Sequence, residues 1–131
     1  MLIPDFSRYS LALFEGNKLI YSSEEKGVRP LFDCLEKHKN KSGLILHDKV
    51  IGLAAAKLIV YSGIISEVIT TIASIPAKKF LEDNGIIITA YEVTANILTK
   101  DRNTICPGEV IALNAEAPDD FSRKIKKMLN G

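Results

Sequence analysis

An excess of charge of either sign is missing from this 131-residue chain: 17 Lys+Arg stand against 16 Asp+Glu, a formal net charge of +1. That balance excludes a dedicated DNA- or RNA-binding protein, which would carry a clear basic surplus. Cysteine is scarce. Cys34 and Cys106 are too far apart for a zinc knuckle and too few for a secreted disulfide framework, so the chain is expected to be reduced and cytoplasmic. Long apolar runs are also missing: the longest, from Ile51 to Ile65, is broken by Lys57 and is shorter than the ~18 residues of a membrane span. The opening Met1-Leu2-Ile3-Pro4-Asp5 has neither the basic nor the apolar stretch of a signal peptide. No P-loop, G-x-G-x-x-G or G-x-S-x-G stretch occurs, which removes the common nucleotide and hydrolase fingerprints. With 47% hydrophobic and 25% charged residues, what is present suffices for one folded domain spanning residues 1–131.

Periodicity divides that domain into elements. Tyr9, Leu11 and Leu13 alternate with Ser10, Ala12 and Phe14, and Lys18-Leu19-Ile20-Tyr21 resumes after Gly16-Asn17, the pattern of a β-hairpin. Pro30 opens a helix whose inner face holds Leu31, Cys34 and Leu35. Leu44-Ile45-Leu46 predicts a buried strand that stops at His47-Asp48. A nearly all-apolar helix follows from Asp48 and ends at Gly63. Glu67 to Ile72 and Ile86 to Tyr91 predict two more strands, separated by a helix that Ser74 caps and Pro76 starts. Helices beginning at Cys106-Pro107-Gly108-Glu109 and at about Asp119 complete the order β-β-α-β-α-β-α-β-α-α. A hairpin followed by strand–helix alternation predicts a three-layer α/β/α domain on a mixed sheet of about five strands, the later ones parallel.

In open α/β sheets ligands collect beyond the carboxyl ends of the strands. That edge is expected to gather Ser22 to Glu25, His47-Asp48-Lys49, Thr71, Ser74, Glu92 and Thr94. Asp48 is read two ways: as the N-cap of the apolar helix, or as a carboxylate that orients a substrate or exchanges protons with His47. Lys49, Gly52 and Ser74 are the accompanying ligand-binding candidates, Gly52 because it permits close approach. Cys106 at a helix start would feel the positive end of the helix dipole, which favours a thiolate nucleophile, with Glu109 or Asp48 handling protons. The plainer reading makes Cys106 a small residue beginning a turn, as core packing is the plainer reading of Cys34. No metal set with fixed spacing is present, and the basic residues Arg123, Lys124, Lys126 and Lys127 read as a solvated helix face rather than a nucleic-acid surface.

The stretch Asp48-Lys49-Val50-Ile51-Gly52-Leu53-Ala54-Ala55-Ala56, taken with Cys106-Pro107-Gly108-Glu109, resembles the bacterial and archaeal domain-of-unknown-function family 1893, over about Leu11 to Leu129. The family's glycine is often followed by Lys, where this chain has Leu53. The resemblance implies a cytidine deaminase-like fold. It does not imply zinc chemistry, because that requires H-x-E and P-C-x-x-C and neither H-x-E nor C-x-x-C occurs in the chain. Two functions follow as expectations: a binding or regulatory module for a small, nucleotide-like ligand with no cofactor, or an enzyme using Cys106 as nucleophile. A third expectation is a homodimer in which apolar residues such as Ile64 and Ile65 form the contact.

Overall fold

The computed structural model describes residues 3–25 and 28–95, together with Arg123 and Lys127. Strands β1 (Leu11–Glu15) and β2 (Lys18–Ser23) form the hairpin, turning through Gly16 at φ 61°. Then follow α1 (Arg29–Lys37), β3 (Leu44–Ile51), α2 (Leu53–Ser62), β4 (Ile65–Ser74), α3 (Ile75–Asp83) and β5 (Ile87–Thr94). Arg123 and Lys127 are helical; the segment from Cys106 to Glu109 lies outside the described residues.

The sheet runs β2-β1-β3-β4-β5, with β1 antiparallel to both neighbours and β3, β4 and β5 parallel. A two-residue turn can only reverse the chain, whereas each helix returns it to the same end of the sheet. The strands joined through α1, α2 and α3 all advance in one direction across the sheet. Right-handed crossovers therefore place the three helices side by side on one face, with α2 between α1 and α3. That middle place explains the composition of α2: Ala54, Ala55 and Ala56 are all buried and let neighbouring backbones come close. Leu11, Leu13, Leu46 and Val68 of the sheet pack against Leu31, Cys34 and Leu35 of α1 and Ile59 of α2 in one core. On the opposite face Ala12, His47 and Ile69 are fully buried as well, so the sheet is the middle of three layers.

Two helix ends follow the sequence reading. Gly63 closes α2 at φ 71°, a left-handed conformation that suits glycine. The Ser74 hydroxyl accepts from the Ala77 amide at 3.2 Å and caps α3.

The start of α2 does not. β3 continues through His47, Asp48 and Lys49 to Ile51, and the N-cap of α2 is Gly52, with no side-chain cap hydrogen bond. Asp48 is therefore a strand residue and does not cap the helix. Pairing of Asp48, Val50 and Ile51 with Thr70, Ile72 and Ala73 of β4 holds this segment extended, which suits the β-branched Val50 and Ile51. Ile64 and Ile65, expected at an assembly surface, are buried core residues instead, because they enter β4 against the start of β3.

Candidate functional site

Asp48 lies where the sheet changes character. Ser23, Leu11, Asp48, Thr70 and Ala90 form one row across the five strands. At this row β2 and β1 reach their ends, while β3 and β4 continue past it. The inward alternation also breaks here. Leu44, Leu46 and Asp48 face the helices at steps of two, and the next inward residue is Ile51; in β4, Val68 and Thr70 are followed by Ala73. Two polar side chains answer the irregularity. Asp48 accepts from the Lys49 and Val50 amides, and the Thr70 hydroxyl donates to the Ile72 carbonyl at 3.1 Å. The Lys49 amide also donates to the Ser10 carbonyl at 2.9 Å, tying β3 to the segment before β1.

Asp48 is 9% exposed, and its carboxyl faces the helical layer. Burial pushes it up to about 8 from an ordinary 3.8, against the pull of the Val50 and Lys49 amides. No lysine or arginine pairs with it among the described residues. Cys34 is buried in the same layer, and burial, followed by the charge of Asp48, pushes its thiol up to about 12. A thiol held protonated at that level is a packing group, not a nucleophile.

His47 belongs to the other side. Consecutive strand residues point to opposite faces, so His47 and Asp48 cannot act on one substrate as an acid/base pair. The His47 ring packs at a tilt of 45° against Phe14 with centroids 4.6 Å apart, and its Nδ1 lies 3.1 Å from the Tyr9 hydroxyl. Among the described residues its Nε2 is buried without a hydrogen-bond partner, and burial holds the ring below its ordinary 6.5. The sign of the resulting pH dependence is fixed by linkage: the unfolded chain takes up a proton near 6.5 and the folded chain only below that. Stability is complete above about pH 6.5 and is lost as pH falls through the folded value. Urea unfolding midpoints should therefore drop on acidification below pH 6.5, and His47→Gln should flatten that decline. An unchanged decline in His47→Gln would assign it to another group.

The other candidates are scattered. The Lys49 side chain is exposed, Gly52 is an extended N-cap, and Ser74 is buried by its capping role. Ser74 stands four residues beyond Thr70 along β4, roughly 13 Å from the Asp48 row at the rise of a strand. Glu24, Glu25 and Glu92 are exposed. Cys106 and Glu109 lie outside the described residues. Thr70 and Ser10 join the Asp48 region without having stood out in the sequence, where Thr70 is one more β-branched residue in Glu67 to Ile72. Among the described residues no group of three His, Cys, Asp or Glu is gathered as a metal ion requires, and no helix is long and apolar enough to cross a membrane.

Comparison with known proteins places the chain. No curated protein matches it in sequence. The crystal structure of a DUF1893 family protein, TM1506 from Thermotoga maritima, superposes with a TM-score of 0.84 at 24% identity, covering 93% of this chain and 82% of that one. At that identity the likeness speaks for the fold. The sequence pattern of the family described as a domain of unknown function, DUF1893, matches residues 5–129. The chain belongs to the DUF1893 family.

Proposed function

We propose that this protein is a small-molecule-binding module on a deaminase-like fold, with the carboxyl of Asp48 as its recognition group. The observation that carries the reading is the Asp48 carboxyl itself, buried at the step in the sheet and, among the described residues, bonded only to amides of its own strand and without a cationic partner. A carboxyl that needed only to satisfy the Val50 amide could be an Asn, which accepts the same bond without the burden of ionisation in a low-dielectric layer. Buried ionisable groups held far from their ordinary titration range concentrate at functional sites.

The starts of α1 and α2 follow β2 and β3, the places where a zinc deaminase presents its metal ligands. Here they read Arg29-Pro30-Leu31-Phe32 and Leu53-Ala54-Ala55-Ala56, none of which ligates zinc. Deaminase-like architecture therefore supports binding rather than metal-assisted hydrolysis. The chemistry that complements Asp48 is a ligand with an N–H-bearing or cationic edge, such as an aminated nucleobase: its donors would favour the ionised carboxylate and offset the loss of hydration.

Thermal unfolding of the full chain with a panel of nucleobases, nucleosides, nucleotides and simple amines tests this. A ligand should raise the midpoint of the wild type with the logarithm of one plus its concentration over its Kd, and leave Asp48→Asn unmoved. Equal shifts in both proteins, or no shift across the panel, would remove Asp48 as the recognition group.

A further inference from the structure

The turn from α3 to β5 sets an asparagine directly before a glycine that the fold requires. Asn84 is the C-cap of α3, and Gly85 follows it at φ 78°, where a residue with a Cβ would be strained. The Gly85 amide donates to the Glu82 carbonyl at 3.1 Å, and the Ile86 amide donates to the Leu81 carbonyl at 3.0 Å. These are the two nested bonds of a Schellman closure, and buried Leu81 and Ile86 belong to the core beneath it. The Asn84 side chain turns back along the helix, its Nδ2 donating to the Phe80 carbonyl at 2.8 Å. Asn84 and Gly85 are both exposed, so water reaches them. A second Asn-Gly pair, Asn130-Gly131, lies outside the described residues.

An asparagine before glycine carries a reaction of its own, because no Cβ shields the next backbone nitrogen from the side-chain amide carbon. We propose that Asn84 is a site of spontaneous deamidation, held back by the Schellman closure of α3 until that turn opens. The Gly85 nitrogen loses its proton to solvent base and bonds to the Asn84 Cγ. The Cγ–Nδ2 bond breaks, ammonia leaves carrying a proton, and a five-membered succinimide remains. Water then opens either carbonyl of the ring. One opening gives aspartate; the other gives isoaspartate, whose main chain runs through the side-chain carbon.

In the closed turn both reacting groups are engaged. The Glu82 carbonyl holds the Gly85 N–H that must be lost, and the Phe80 carbonyl anchors the Asn84 amide on the helix. Opening the last turn of α3 frees both. Neither product restores the original closure. Isoaspartate lengthens the main chain between residues 84 and 85 by one methylene, which spoils the spacing of both nested bonds. Aspartate adds a carboxylate beside Glu82 and Asp83 at the negative end of the helix dipole. This chemistry is independent of Asp48.

The full chain, aged at mildly alkaline pH and digested for mass spectrometry, should yield acid and isoaspartyl forms of the peptide carrying Asn84. Their rate of formation should be at least about tenfold higher in the urea-unfolded chain than in the folded one. Ile86→Ala trims the core beneath the closure and leaves Asn84-Gly85 intact, so it should move the folded rate toward the unfolded one. Amide exchange at Gly85 in the wild type needs no variant: urea below the unfolding transition should speed exchange and modification together. The isoaspartyl form, once separated, should unfold at a lower urea concentration than its parent. An unmodified Asn84 in the unfolded chain would overturn the site. Equal rates in folded and unfolded protein, a rate indifferent to Ile86→Ala, exchange and modification that do not move together, or an isoaspartyl form as stable as its parent would overturn the closure as the restraint.

Discussion

Asp48→Asn is expected to stabilise the protein, and increasingly so toward alkaline pH. The folded carboxyl ionises near 8 and the unfolded one near 3.8, so the unfolded chain releases its proton first as pH rises. A group whose folded value is raised contributes its full stability below the unfolded value and loses it as pH climbs through the folded one. Over that window the wild type should lose on the order of 5 kcal/mol of folding free energy at this site. Asparagine never ionises, and its carbonyl oxygen still accepts from the Val50 and Lys49 amides. The variant should therefore exceed the wild type by a few kcal/mol at about pH 9 and match it at about pH 4. Urea unfolding at several pH values measures the difference directly. A gap that stays constant with pH would show that Asp48 does not carry the ionisation.

Leu46→Ala, two residues earlier on the same face of β3, should act in the opposite direction and without pH dependence. Leu46 is fully buried in a central strand, paired with Leu13 on one side and Val68 on the other. Three packed helices cover that face, so the backbone has little freedom to collapse into the space left behind. A loss of about 2–5 kcal/mol is expected from lost apolar transfer plus the residual cavity. The midpoint of urea unfolding should fall with little change in slope; a loss below about 1 kcal/mol would mean the helical layer is looser than its burial implies.

The contrast between these neighbours bears on the proposed site. Leu46 contributes to the fold, whereas the ionisable group of Asp48 weakens it at neutral and alkaline pH. A residue that costs stability where an uncharged isostere is available is the pattern of a functional group retained against folding. If Asp48→Asn proves more stable and still binds every ligand of the wild type, that argument fails while the fold description stands.

Most of the framework was legible in the residues. The Gly16-Asn17 reversal, the Ser74 cap, the Gly63 stop and the order of strands and helices up to β5 are local chemistry, written in turn residues and in periods of two or 3.6. Cys34 was readable as core for the same reason: its spacing from Leu31 and Leu35 put it on the buried stripe. The site was less legible. Asp48 before a run of alanines has the signature of a helix cap, and only the partner strand reveals otherwise.

What the sequence determined by itself is therefore the fold class, the mixed sheet and the family membership that its length-wide pattern carries. Tertiary structure decided the rest, because strand pairing is an interaction between segments far apart in the chain. β4 keeps residues 48–51 extended past the point where local propensity would start a helix. That single extension moves Asp48 into the helical layer and His47 to the opposite face, and it separates two residues that stand side by side in the sequence. The burial that follows raises one group and lowers the other, a consequence of desolvation that no spacing of letters contains.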